Sequence, residues 1–234
     1  DRGAGADRAA SPMALATAAG ARDSVRLPDG TRVLLGPASR LTWDARDARV
    51  VTLEGMAHFA VVHDAAQPFT VRAGDAVVRD VGTTFVVRTD AGASPRVVVA
   101  VSEGAVSLAV RGEQDPFDAH RAVTLAAGDR GELVGGSTTV VQRAALAASD
   151  TAWTSGRLVY TGTPLDRVVA DVARWYGVEL RIADRALLAR RLTASFDASD
   201  PPARVVDAIA LTLGARVTRE AGGRIAMLHP GPTP

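Results

Sequence analysis

The sequence predicts a mainly β N-terminal domain of a roll or sandwich kind, followed by a small α+β domain of two strand-helix-strand repeats. Three observations predict it. Short alternating or β-branched runs broken by glycine turns fill residues 22–143, a strongly amphipathic helical pattern opens at Pro164, and that pattern returns 37 residues later.

The β part is read from "SVRL-PDG-TRVLL", "VVTLEG", "MAHFAVVHD", "FTVRAGD", "AVVRDVG", "TTFVVRTD", "RVVVAVSEG" and "AVSLAVRG". The turn pairs Asp29-Gly30, Glu54-Gly55, Gly74-Asp75 and Glu103-Gly104 recur at close spacing, as they do in sandwiches, barrels and β-rolls. "RGEQDPFDAHR" (Arg111 to Arg121) is polar and holds Pro116, which predicts a long hairpin loop. "AALAASDTA" (Ala144 to Ala152) has small residues and no pattern, which predicts a linker.

After the linker, Leu165, Val168, Val169, Val172, Trp175 and Tyr176 share one helix face, and Gly177 stops it. Pro164, Val168, Val169, Val172 and Gly177 map onto Pro201, Val205, Val206, Ile209 and Gly214. Two copies are too few for a solenoid, so they predict one compact duplicated domain. The expected organisation is therefore a flexible leader (1–20), a β-rich domain (21–143), a linker (144–152), a docking domain (153–229) and a tail (230–234).

Composition narrows the function classes. Net charge is +1, with 27 basic and 26 acidic residues, so the chain lacks the electrostatic footprint of a nucleic-acid binder. Cysteine is absent, which excludes a disulfide framework, a Cys-ligated zinc site and thiol catalysis. No run approaches the ~18–20 apolar residues that span a bilayer.

"ARDSVRLPDGTRVLLGPASRL", "LEGMAHFAVVHDAAQPFTVRAGDAVVRDVGTTFVV", "VSEGAVSL", "LAAGD" and "AWTSGRLVYTGTPLDRVVADVARWYGVEL" resemble, in that order, the periplasmic region of FecR-type anti-sigma regulators. The resemblance implies a periplasmic sensor, tethered to the inner membrane by an N-terminal transmembrane helix that this sequence does not include. Its implied partners are the signalling domain of a TonB-dependent outer-membrane transducer and periplasmic proteases, with an extracytoplasmic-function sigma factor reached through a cytoplasmic segment, also outside this sequence. No cofactor or metal is implied, and a monomer is expected. The duplicated end resembles the short domain shared by secretins and such transducers, which leaves a secretion adaptor as one alternative. A carbohydrate-binding β-module is another.

For partner contact the sequence offers Trp153, Tyr160, Arg167, Arg174, Trp175 and Arg181, because aromatics and Arg are enriched where partners dock. The competing reading is plain: the rings continue the apolar face as core, and the arginines form a solvated face. His58 and His63 invite a metal reading, but positions five apart in one strand face opposite ways. Gly82-Thr83 has two readings as well. It is either a tight strand entry suited to β-branched residues, or a bond at which the Thr83 hydroxyl attacks the Gly82 carbonyl, as the resemblance to self-cleaving FecR-like proteins implies. Cleavage needs a base, and His58, His63 and Asp80 are the candidates.

Overall fold

The structure, a computed structural model, describes residues 12–90, 95–112, 117, 122–136, 138–220 and 222–231. Most of the expected loop at 111–121 lies outside the described residues, as do residues 1–11.

Two seven-stranded sheets stack to form the first body. In chain order its strands are β1 (Pro12–Ala16), β2 (Asp23–Arg26), β3 (Arg32–Leu35), β4 (Arg40–Asp44), β5 (Val50–Glu54), β6 (Met56–Ala60) and β7 (Phe69–Ala73). They continue as β8 (Ala76–Asp80), β9 (Thr84–Asp90), β10 (Arg96–Glu103), β11 (Ala105–Val110), β12 (Ala122–Ala126), β13 (Arg130–Val134) and β14 (Thr138–Gln142). One sheet runs β1-β4-β5-β7-β8-β11-β12 and the other β14-β13-β10-β9-β6-β3-β2.

The chain changes sheet every one or two strands, and this explains the recurring turn signals. Gly74 closes a hairpin within one sheet, whereas Gly55, Gly82 and Gly104 stand where the chain crosses from one sheet to the other. Alternation then sends every second side chain into the space between the sheets. Phe59 and Phe85 from one sheet stack at 5.2 Å between ring centroids, and Phe69 from the other meets Phe59 at 6.0 Å. Leu35, Leu41, Leu53, Leu108, Leu125 and Leu133 complete a fully buried core.

The second body contains α1 (Ala148–Thr151), a 3-10 turn (Ala152–Ser155), β15 (Arg157–Pro164), α2 (Leu165–Tyr176), β16 (Glu179–Ile182) and α3 (Arg185–Leu188). β17 (Arg191–Asp197), α4 (Pro202–Thr212), β18 (Ala215–Arg219) and β19 (Ile225–Pro230) follow. The duplication shows in the pairing: first strands of the two repeats pair as β15-β17, and the second strands, β16 and β18, flank β19. Leu165, Val168 and Val172 from α2 and Val205, Val206 and Ile209 from α4 fill one core with Leu192 and Leu228.

The structure corrects the expected boundaries in two places. Pro12–Ala16 belongs to the fold as an edge strand along β4 rather than to the leader, because backbone pairing recruits a stretch whose hydropathy is featureless. The expected linker contains α1 and runs into the 3-10 turn, so its small residues form tight local structure.

Candidate functional site

The two bodies meet along a seam. The outer face of the second sheet presents Met56, Val86 and, half-buried, Leu34, which join the core of the second body beside Trp153 and Tyr160. Around this apolar centre runs a chain of alternating charge. Arg88 contacts Asp90 at 2.8 Å and Asp171 at 2.7 Å, while Glu132 is shared by Arg130 at 2.9 Å, Arg167 at 2.8 Å and Arg96 at 3.4 Å. Arg174 approaches Asp90 at 3.7 Å and donates to the Thr89 carbonyl at 3.1 Å.

Burial lowers the Arg88 pKa, but the charges of Asp171 and Asp90 raise it further, so the guanidinium stays charged. Burial pushes the Glu132 carboxyl up, yet the Arg130 hydrogen bond and the charges of Arg167, Arg130 and Arg96 hold it below its ordinary value. Arg174 goes the other way: burial, then repulsion from Arg88, lowers its pKa. Burial also raises the Tyr160 hydroxyl well above its ordinary value.

Six buried side-chain polar atoms among the described residues have no hydrogen-bond partner, and five lie at the seam: Arg88 Nη2, Tyr160 Oη, Arg167 Nε, Asp171 Oδ1 and Arg174 Nη1. Arg88 Nη2 and Asp171 Oδ1 are in ion contact without hydrogen-bond alignment; the directed bond runs from Nη1 to Oδ2 at 3.3 Å. A cavity of about 80 Å³ opens among these groups. A larger one, about 590 Å³, opens at one end of the sandwich between Leu53, Val97, Asp90, Thr17 and Arg174.

The sequence-derived partner set is thus divided by the fold. Trp153, Tyr160 and Trp175 are buried core, with Trp153 and Trp175 tilted together at 6.5 Å. Arg167 and Arg174 face the sandwich rather than solvent. Arg181 alone stays at the surface, where it pairs with Glu179 at 2.8 Å and Glu220 at 3.5 Å. What the sequence reading missed is the seam itself. Its one visible signal was Asp171, a carboxylate adjoining the apolar face of α2 and buried like its neighbours. Among the described residues, β17 pairs only with β15 and β18 only with β19, which leaves strand edges on the second body unpaired.

Gly82-Thr83 sits at a corner between the sheets. Gly82 has φ +146°, and a Cβ there would lie 2.6 Å from His63 Nδ1 and 2.7 Å from its Cβ, so the bulk of His63 admits only glycine. Asp80 braces the corner: its Oδ1 accepts from the Gly82 N–H at 3.0 Å and its Oδ2 from the Thr83 N–H at 3.1 Å. Thr83 is buried and its hydroxyl donates to the Ala105 carbonyl at 3.0 Å. Of the three candidate bases, Asp80 and His63 are at this corner. His58 is not; it faces outward from the second sheet between Leu34 and Val86, where burial lowers its pKa. No group of three or more metal-ligating side chains occurs among the described residues.

The chain is thus a β-sandwich carrying a clamped α+β body. The family described as FecR protein matches residues 13–107, and the one described as FecR, C-terminal matches residues 157–226. The chain belongs to the FecR family. No curated protein matches it. Two crystal structures of a candidate anti-sigma factor from Parabacteroides distasonis ATCC 8503 superpose with a TM-score of 0.79 each, at 24% and 23% identity. They cover 94% and 95% of this chain and 100% of their own. At that identity the likeness is one of fold, and it extends over both bodies.

Proposed function

We propose that this chain is the signal-receiving part of an anti-sigma regulator, a periplasmic sensor that docks on the signalling domain of a TonB-dependent outer-membrane transducer. The observation that carries it is the match of two successive FecR segments to the two bodies. The fold shared with a candidate anti-sigma factor supports the same reading. Docking falls to the second body, whose β17 and β18 edges offer unpaired backbone for a partner strand, while Arg181, on β16 at the opposite edge of the sheet that holds β18, steers an acidic partner. The output passes to a sigma factor through a cytoplasmic segment outside this sequence, with periplasmic proteases acting downstream. Co-purification with the signalling domain of a neighbouring transducer tests it. The chain should retain that domain, and removal of 153–234 should abolish capture; full binding by the sandwich alone would refute the assignment.

The corner at Gly82 supports a second reading, self-cleavage of the Gly82-Thr83 bond. Thr83 Oγ1 attacks the Gly82 carbonyl carbon, the C–N bond breaks, and the Gly82 acyl group becomes an ester on Thr83. The hydroxyl proton passes to the departing nitrogen, and in this reading Asp80, which accepts from that N–H at 3.1 Å, is the candidate carrier. Water then splits the ester into a Gly82 carboxylate and a free Thr83 hydroxyl. Strands β8 and β9 lie in different sheets of one sandwich, so the fragments should separate only on denaturation. Intact mass under denaturing conditions should show fragments 1–82 and 83–234 for the native chain and Thr83→Ser, and none for Thr83→Ala. A native chain that stays whole after prolonged incubation leaves Gly82-Thr83 as a sheet corner only.

A further inference from the structure

Between β1 in one sheet and β2 in the other, the chain takes a route that neither sheet requires. Thr17 is fixed to the sandwich: its N–H donates to the Ser39 carbonyl at 2.9 Å and its hydroxyl to the Gly36 carbonyl at 2.6 Å. Ala18 accepts from the Ala38 N–H at 3.0 Å. From there the chain leans onto the second body. The Gly20 N–H donates to the Arg174 carbonyl at 3.0 Å, satisfying a backbone oxygen in the last turn of α2 that the helix leaves unpaired. Gly20 has φ +75°, and a Cβ on it would lie 3.1 Å from the Trp175 carbonyl oxygen. Two residues on, Arg22 Nη1 donates to the carbonyls of Trp153 and Thr154, both at 2.8 Å, at the end of the 3-10 turn.

One short segment therefore caps two helical ends of the second body while hydrogen-bonded to the sandwich, and β1 is joined to it directly. β1 is a weakly held strand. Among the described residues it lies at a sheet edge, pairs only with β4, and exposes four of its five residues, with Met13 48% exposed. An edge strand with little buried apolar surface opens at low free energy.

We infer that Thr17–Arg22 is a strap coupling the second body to β1, so that displacing the second body from the sandwich loosens the N-terminal strand, and freeing that strand loosens the second body. The second body cannot swing off the sheet without either breaking the Gly20 and Arg22 bonds or dragging the strap, and the strap with it pulls β1 from β4. If the sensor reading is right, this is the route by which docking at the far edges reaches the side where the chain enters the fold; the coupling itself needs no partner and is tested without one.

The test is native-state hydrogen exchange read by mass spectrometry on the full chain. Arg22→Ala removes the strap's hold on Trp153 and Thr154, and Leu15→Ala removes the half-buried side chain by which β1 grips the sandwich core. Thermodynamic coupling is reciprocal, so Arg22→Ala should speed exchange in Met13–Ala16, and Leu15→Ala should speed it in 152–156 and the last turn of α2, each by about fivefold or more. Asp207→Ala, which breaks the exposed Arg219 pair on the second body, should change neither region. Should Arg22→Ala be too unstable to handle, Arg22→Lys should move the same peptides in the same direction by less. Faster exchange confined to 152–156 in the Arg22 variants, with β1 unchanged, would overturn the strap; so would Leu15→Ala that frees β1 alone.

Discussion

Arg174 shows how burial reverses the meaning of a charged residue. On sequence it is one of the arginines that read as a solvated face, so its reversal to glutamate would leave stability nearly untouched. In the fold its guanidinium lies against Asp90 and the Thr89 carbonyl, with only 13% of the side chain exposed. Arg174→Glu therefore sets a carboxylate beside a carboxylate and a carbonyl oxygen. Removing one partner from a buried pair costs roughly 3–5 kcal/mol, and reversal should reach at least that range. Arg174→Met should cost less, since burial already disfavours the arginine's charge. Urea titration of both variants checks the order. If Arg174→Glu melts with the native chain, the seam is not closed in solution.

At the scale of the element, α2 carries the clearest expectation. Val172 is 1% exposed among Leu165, Val168 and Trp175, so Val172→Ala should cost roughly 1–3 kcal/mol. Leu211 on α4 is 82% exposed, and Leu211→Ala should stay within about 0.5 kcal/mol. Thermal melts of the two variants separate core face from solvent face. Both helices were legible because a 3.6-residue period is local information, carried by spacings within one segment. Their second-body strands and the duplication were legible for the same reason. Strand partners were not: nothing in "MALA" says that it will pair with β4, and nothing in "VVTLEG" says that β5 lies parallel to β7. Pairing is a non-local choice that hydropathy does not encode. The glycine corners are legible only as turns, since a turn residue fixes backbone freedom and not which sheet the chain enters next. Trp153, Tyr160 and Trp175 were correctly noticed as a group, and the competing core reading is the one their burial bears out.

For the whole molecule, the question is what the charged seam contributes to holding two bodies together. Each body has its own apolar core, and the join adds Met56 and Val86 to the second. A join meant only for stability would be apolar throughout. Buried ion pairs are expensive to desolvate, and replacing both partners with apolar residues of similar size is often neutral or stabilising by about 1–4 kcal/mol, whereas losing one partner costs about 3–5 kcal/mol. Arg88 and Asp171 are the pair on which to test this, because they are mutually closest, lie on opposite bodies, and leave one ion contact unaligned. Arg88→Met strands the Asp171 carboxylate beside the buried Tyr160 hydroxyl, and Asp171→Leu strands Arg88 with only Asp90 to balance it. Each single change should destabilise the chain strongly. The double change removes both charges and extends the apolar centre from Met56 and Val86 toward α2, so it should recover most of the loss or exceed native stability. Chemical denaturation of the four proteins gives the coupling directly, and the shape of the curves adds a second reading. Singles that loosen the join should unfold in two steps as the second body detaches first, while the double variant should return to one. Equal, additive losses in the two singles and the double would mean that the Arg88–Asp171 contact does not hold the bodies together.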